Sequence, residues 1–189
     1  MLDELLRAAE AFAQDRERDA MRILRPLRKE LPEAASVREL YGLCLYRAGR
    51  YREAAEELDE YVAMTGSLEQ HPPLMDSHRA LRHYGRVDEL WDELAAASPS
   101  AALVTEGRIV LAGSLADRGR LRDAVRTLER RSRVPQRVRE HHLRLWYALA
   151  DLYERTGDVP RARSLFQQIR RYDASFADVA ERLSALGSS

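Results

Sequence analysis

A short turn centred on glycine returns four times along the chain. It reads RAGRY at Arg47–Tyr51, HYGRV at His83–Val87, DRGRL at Asp117–Leu121 and RTGDV at Arg155–Val159. The glycines, Gly49, Gly85, Gly119 and Gly157, stand 36, 34 and 38 residues apart. Four positions before each lies Leu45, Leu81, Leu115 or Tyr153, and two after it Tyr51, Val87, Leu121 or Val159. Five after each comes Ala54, Leu90, Ala124 or Ala162, and nine after it Leu58, Leu94, Leu128 or Phe166. A period in the middle thirties limits the chain to supersecondary units stacked in order, each burying a face that it cannot hide alone.

Each unit reads as a helical hairpin. Apolar residues ahead of the glycine follow helical spacing, as in Leu40, Leu43 and Tyr46 or Trp146, Leu149 and Tyr153. Glycine then adopts the left-handed conformation that ends one helix, and a second helix follows at once. Asp158 ahead of Val159-Pro160 fits an N-cap with proline in the first turn. Strand signals are absent: no period-2 run is sustained, and the chain contains no Asn to make an Asn-Gly turn. Pro26 falls inside a helical pattern and predicts a kink or early break there. Phe176, Val179, Leu183 and Leu186 form one stripe on a last helix, predicted over 176–187, that caps the stack.

The pattern resembles the tetratricopeptide repeat. The stretch LYGLCLYRAGRYREAAEEL (Leu40–Leu58) supplies its small residue as Gly42 and its alanine as Ala54. The stretch WYALADLYERTGDVPRARSLF (Trp146–Phe166) supplies Trp146, Leu149, Tyr153, Ala162 and Phe166, with Ala150 at the small position. In the third unit His78 and Leu90 stand where the small residue and the alanine are expected, and Arg131 replaces the last alanine of the fourth. The resemblance implies an all-α, right-handed superhelix of about five helix-turn-helix repeats in a single domain (approximately 1–34, 35–70, 71–104, 105–142 and 143–175). It also implies a non-catalytic protein–protein interaction or scaffold module without cofactors, binding a peptide or partner protein in a concave groove. In that family the first helix of each hairpin lines the groove, which carries over to Glu39, Leu43, Tyr46 and Arg47. The third unit would add Met75, Arg79, Arg82 and His83, and the fifth Arg144, Tyr147, Asp151 and Glu154. Leu5, Ala9, Phe12, Ile109, Gly113 and Ala116 are divided between groove and core. The clamp of Lys, Asn and Arg by which some members hold a chaperone tail is excluded in its usual form, since the lone Lys29 lies off the groove helices and Asn is lacking.

Composition narrows the chemistry. The chain is 45% hydrophobic and 33% charged, as a globular protein is, and its 31 acidic and 31 basic residues cancel. All but one of the basic residues are arginine, which points first to GC-rich coding in a bacterium. One cysteine, Cys44, forbids an internal disulfide or a cysteine zinc cage. His71, His78 and His83 do not share one helical face, which favours surface or groove histidines over a metal site. Neither a nucleophile elbow nor a glycine-rich phosphate loop is present. Acids run through every turn of the first fifteen residues and no apolar run reaches membrane length, so a cytoplasmic protein is expected.

Charge is unevenly spread. Residues 1–100 hold 20 acids and 14 bases, whereas residues 101–145 hold 5 acids and 11 arginines. The dense part contains Arg118, Arg120, Arg122, Arg126, Arg130, Arg131, Arg137 and Arg139, ending at Arg144. It reads either as a solvated outer face or as a patch for an acidic partner or RNA phosphates. No aromatic interleaves it to stack bases. A third reading is self-association as a homodimer through Leu2, Leu5, Leu6 and Phe12, which no earlier repeat covers.

Overall fold

The computed structural model describes residues 2–130 and 134–187. Its elements are helices, and they fall into two compact units, Met1–Pro99 and Ser100–Ser189. The first unit holds α1 (Leu2–Ala13), α2 (Glu17–Glu30), α3 (Ala35–Arg47), α4 (Tyr51–Thr65), α5 (His71–Ala80) and α6 (Tyr84–Ala97). The second holds α7 (Ala101–Asp117), α8 (Leu121–Glu129), α9 (Glu140–Arg155), α10 (Val159–Tyr172) and α11 (Val179–Gly187).

Helices pair in sequence: α1 with α2, α3 with α4 and α5 with α6 in the first unit, α7 with α8 and α9 with α10 in the second. Each pair then meets the next within its unit, α1 touching α3, α3 touching α5 and α7 touching α9. Among the described residues, contacting helices are never more than two places apart in the chain. This nearest-neighbour packing is that of a helical-hairpin solenoid.

One bond closes all five hairpins. The N–H five residues on donates back to a carbonyl of the first helix: Arg16 to Ala11, Arg50 to Leu45, His83 to His78 and Arg120 to Leu115 at 2.9 Å each, and Asp158 to Tyr153 at 2.8 Å. The residue ahead of each donor has a positive φ: Asp15 (54°), Gly49 (72°), Arg82 (61°), Gly119 (76°) and Gly157 (80°). This Schellman arrangement satisfies carbonyls that the helix end would otherwise orphan. The third turn corrects the sequence reading, because Gly85 lies inside α6 and Arg82 makes the reversal.

The correction moves the register of that hairpin. Seven residues before the left-handed position stand Ala8, Gly42, Met75, Ala112 and Ala150, all buried. Five residues after it stand Ala20, Ala54, Val87, Ala124 and Ala162, none exposed at all. These ten buried positions share one register across the hairpins. In the third pair these register positions are Met75 and Val87, where the glycine spacing suggested His78 and Leu90. At Gly42 the approach is closest: a Cβ there would lie 2.8 Å from Cγ and Cδ2 of Leu58.

Local signals behave unequally. Asp158 caps α10, its Oδ1 accepting the Arg161 N–H at 3.2 Å, with proline in the first turn. Pro26 causes no early break, the second of the two expected outcomes; α2 runs on to Glu30. Buried Leu24 and Leu27 on either side hold that segment to the core, and the Leu31 N–H closes on the Leu27 carbonyl at 2.9 Å. At the other end α11 starts at Val179, not 176, and buries Val179 and Leu183 against α10.

Candidate functional site

In the first unit the first helices of the hairpins, α1, α3 and α5, form a run of neighbours, and their polar side chains are joined across it. Tyr46 on α3 donates its hydroxyl to Asp76 Oδ2 on α5 at 2.9 Å, and Arg79 meets the other oxygen of Asp76 at 3.2 Å. Glu39 accepts from the Gln70 amide at 2.8 Å. Arg47 reaches back to the first hairpin, donating to the Phe12 carbonyl at 3.1 Å and to Asp15 at 3.0 Å, with its guanidinium 3.8 Å from the centre of the Phe12 ring. The face is therefore an internally paired array of one phenol, acids and arginines, half-buried at Tyr46, Asp76 and Arg79 and exposed at Arg47 and Asp15. A ligand binding there must exchange these partners for its own.

Three of the groove candidates in this unit lie elsewhere. Met75 is completely buried and holds one of the register positions described above. Arg82 and His83 occupy the turn, exposed, rather than the α5 face. His71 and His78 prove to be interior residues. His71 is fully buried with Nε2 3.1 Å from Glu93, and His78 is 2.9 Å from Asp59 and 3.3 Å from His83. Burial works against the Asp59 carboxylate, yet His78 and Arg86 outweigh it and hold its pKa below the usual value. Each histidine thus serves a carboxylate that residue spacing offered no means of pairing with it.

In the second unit α7 and α9 are neighbours, and α11, packed on α10, reaches α9 through a side chain. Arg144 pairs with Glu106 at 2.8 Å. Burial raises the Glu106 pKa, an effect that Arg144 opposes. Tyr147, Asp151 and Glu154 on α9 are gathered by one residue of the last helix. Arg182 donates to Asp151 at 3.0 Å and to Glu154, and lies over the rings of Tyr147 and Phe166 at 5.9 and 5.2 Å. Tyr147 donates to Asp178 at 2.6 Å, and burial together with that bond pushes its pKa up to about 12. Of the apolar candidates, Leu5, Ala9, Phe12, Ile109 and Gly113 are partly exposed and Ala116 is buried.

The arginine-rich segment is less free than its composition suggests. Arg120 and Arg126 both hold Asp123, and Arg118 donates to the Ser114 carbonyl at 3.2 Å. Arg122, Arg130, Arg137 and Arg139 are exposed, and Arg131 lies outside the described residues. Arg182, Asp76 and Gln70 were not anticipated from sequence. The signal for Arg182 was available, since it sits on the polar side of the capping stripe.

Comparison with known proteins fits this construction. A tetratricopeptide repeat profile matches residues 5–69 and 109–176. The fold is shared with a thermophilic TPR protein of Thermus thermophilus (TM-score 0.75, 17% identity, covering 100% of this chain and 99% of that one). A tetratricopeptide repeat protein from Parabacteroides merdae superposes with TM-score 0.72 at 16% identity, over 97% of this chain and 69% of the other. MamA of Desulfovibrio magneticus does so with TM-score 0.64 at 13% identity, over 89% and 92%. No curated protein matches the sequence. By its profile match, its hairpins and its nearest-neighbour packing, the chain belongs to the tetratricopeptide repeat family.

Proposed function

We propose that the protein is a non-catalytic interaction or scaffold module that binds a peptide or partner protein on the first-helix face of its units. The tetratricopeptide fold is generally such a module. The observation that carries the reading is the Tyr46–Asp76–Arg79 array. It offers an aromatic, a carboxylate and a guanidinium, all part-buried, at one place on an otherwise ordinary helical surface. Such mixed sites suit a partner with an apolar anchor and charged flanks. Cys44 does not argue for chemistry, because burial pushes its thiol up to about 12, well out of thiolate range at neutral pH.

The test is capture from the native cell extract by wild type and by two charge reversals, Asp76→Arg and Arg79→Glu. A partner retained by wild type and lost from both, with melting curves unchanged, supports the reading. Identical capture by all three proteins refutes it. A cytoplasmic location is part of the proposal, checked by imaging a fluorescent fusion. Among the described residues no helix is long and apolar enough to cross a membrane.

Self-association through α1 is a second reading, favoured by Leu2 and Leu6, which are 64% and 54% exposed. Mass measured by light scattering across a concentration series decides it, and a constant monomer ends it. RNA binding by the arginine segment is a further alternative; the pairing of Arg120 and Arg126 with Asp123 speaks against it. It would show as affinity falling linearly in log salt.

A further inference from the structure

Helix α2 is the second helix of its hairpin, off the face considered above, and it carries Arg18, Arg22 and Arg25 at spacings of four and three. Those spacings set the three guanidinium groups along one side of the helix. Between this side, Tyr41 of α3 and Arg50 ahead of α4 lies a cleft of about 310 Å³. Met21 and Tyr41 supply its apolar wall, half-buried and 8% exposed respectively. Four arginines therefore edge one small cavity.

Their charges are unevenly answered. Arg50 is held by Glu53, and Arg22 stands 3.4 Å from Asp19 with its side chain 80% exposed. Among the described residues Arg18 and Arg25 have no carboxylate partner. Unpaired arginines are ordinary on an open surface, but these share a concavity, where like charges reinforce one another's field. The guanidinium fork matches a carboxylate or a phosphate in two-point geometry.

We propose that this cleft binds a short acidic peptide segment, whose carboxylates are received by Arg18, Arg22 and Arg25. Two features favour a peptide over a nucleic acid. Residues 1–100 carry 20 acids against 14 bases, so a long polyanion leaving the cleft would run over a surface of its own sign. The one aromatic at the site, Tyr41, is buried too far to stack a base. A few carboxylates fill the cleft without meeting that repulsion. Its volume, at the low end of ligand-binding cavities, suits side chains rather than a folded domain.

The experiment uses the full chain and a fluorescein-labelled Glu-Gly-Glu-Gly-Glu-Gly peptide, read by fluorescence anisotropy at low salt. The Gln-for-Glu peptide and a labelled single-stranded oligonucleotide run in parallel. The Arg18→Glu/Arg25→Glu double variant should weaken the Glu peptide at least about tenfold. Arg18→Gln/Arg25→Gln, which removes charge without adding repulsion, should weaken it in the same direction, with circular dichroism melts reporting that both fold. Arg52→Glu, exposed on α4 outside the cleft, should stay within about twofold of wild type, as screened surface charges do. No binding of the Glu peptide, equal binding of its Gln counterpart, or an equal loss with Arg52→Glu overturns the proposal. So does an oligonucleotide that binds more tightly and is lost with the same arginines, which would give the cleft to phosphate instead.

Discussion

Of the glycines inside helices, Gly42 in α3 and Gly85 in α6 should respond to alanine in opposite directions. Alanine is favoured over glycine in a helix by about 1 kcal/mol, so with nothing in the way the substitution stabilises. At Gly85 the new methyl meets nothing within 4 Å. Its position in the first turn of α6 reduces the gain, and Gly85→Ala should add roughly 0.5 kcal/mol. At Gly42 the methyl would lie 2.8 Å from two carbons of Leu58 and 3.4 Å from Cβ of Glu57. Carbon contacts are optimal at about 3.5–4.0 Å, so the helices or the Leu58 side chain must give by about 1 Å. Leu58 is completely buried and cannot swing into solvent. Overpacking of this kind costs about 1–3 kcal/mol, against the gain of about 1 from propensity. Gly42→Ala is therefore expected to destabilise by about 1 kcal/mol, or about 4–8 °C in Tm for a cooperative unit of this size. Thermal and urea unfolding followed by far-ultraviolet circular dichroism read both variants. Should Gly42→Ala stabilise as much as Gly85→Ala does, the close approach of α3 and α4 is wrong.

Glu57 accepts from Arg28 at 2.6 Å and from Arg38 at 3.0 Å, with all three side chains largely buried. Removing it in Glu57→Ala leaves two guanidinium groups without their shared anion and should cost about 3 kcal/mol in urea unfolding; a loss below about 1 would show the pair to be superficial. Pro26→Ala restores a missing N–H donor in α2 and should raise stability by about 1–3 kcal/mol, while an unchanged midpoint would mean that the helix already absorbs the ring at no cost. Tyr147 and Tyr153 have pKa values pushed up to about 12 by burial and by hydrogen bonds to Asp178 and Glu129. Their folded values exceed the unfolded value near 10, so their contribution is intact below about pH 10 and is lost as pH rises through about 12. Ultraviolet titration should find phenol ionisation extending to about pH 12, together with alkaline unfolding; absorbance complete near pH 10 would contradict the pairing.

Much of the architecture was legible because helical spacing and a left-handed turn leave marks in a sequence. Ala54, Ala124 and Ala162 could be placed opposite their partner helices by counting from a glycine, and all three are fully buried. The count failed at the third hairpin for a definite reason. A Schellman turn requires a positive φ, and Arg82 adopts one at 61° without advertising it by its identity. Counting from Gly85 displaced the hairpin register from Met75 and Val87 to His78 and Leu90. At Pro26 the helix continues where a break was one expectation, because burial of Leu24 and Leu27 holds the segment to the core. The face was only partly readable. Periodicity put Tyr46, Arg79 and Asp151 on the first helices, but not who would meet them. Tyr46 finds Asp76 thirty residues away, and Asp151 finds Arg182 thirty-one away, distances over which sequence spacing carries no side-chain geometry. The α2 cleft left a stripe at 18, 22 and 25 that charge counting over a hundred residues averaged out.

The grip of Arg182 on α9 bears on how this protein can be divided for experiment. A fragment trimmed at Tyr172, where α10 ends, would discard Asp178 and Arg182 together. It would take from Asp151 and Glu154 the guanidinium they share, leaving Asp151 its longer contact with Arg155, and leave the phenol of Tyr147 without its acceptor. The cut edge would then be sticky and acidic at once, and its binding behaviour would report the scissors rather than the protein. Any boundary chosen for the second unit should lie beyond Leu183, whose side chain closes the stack.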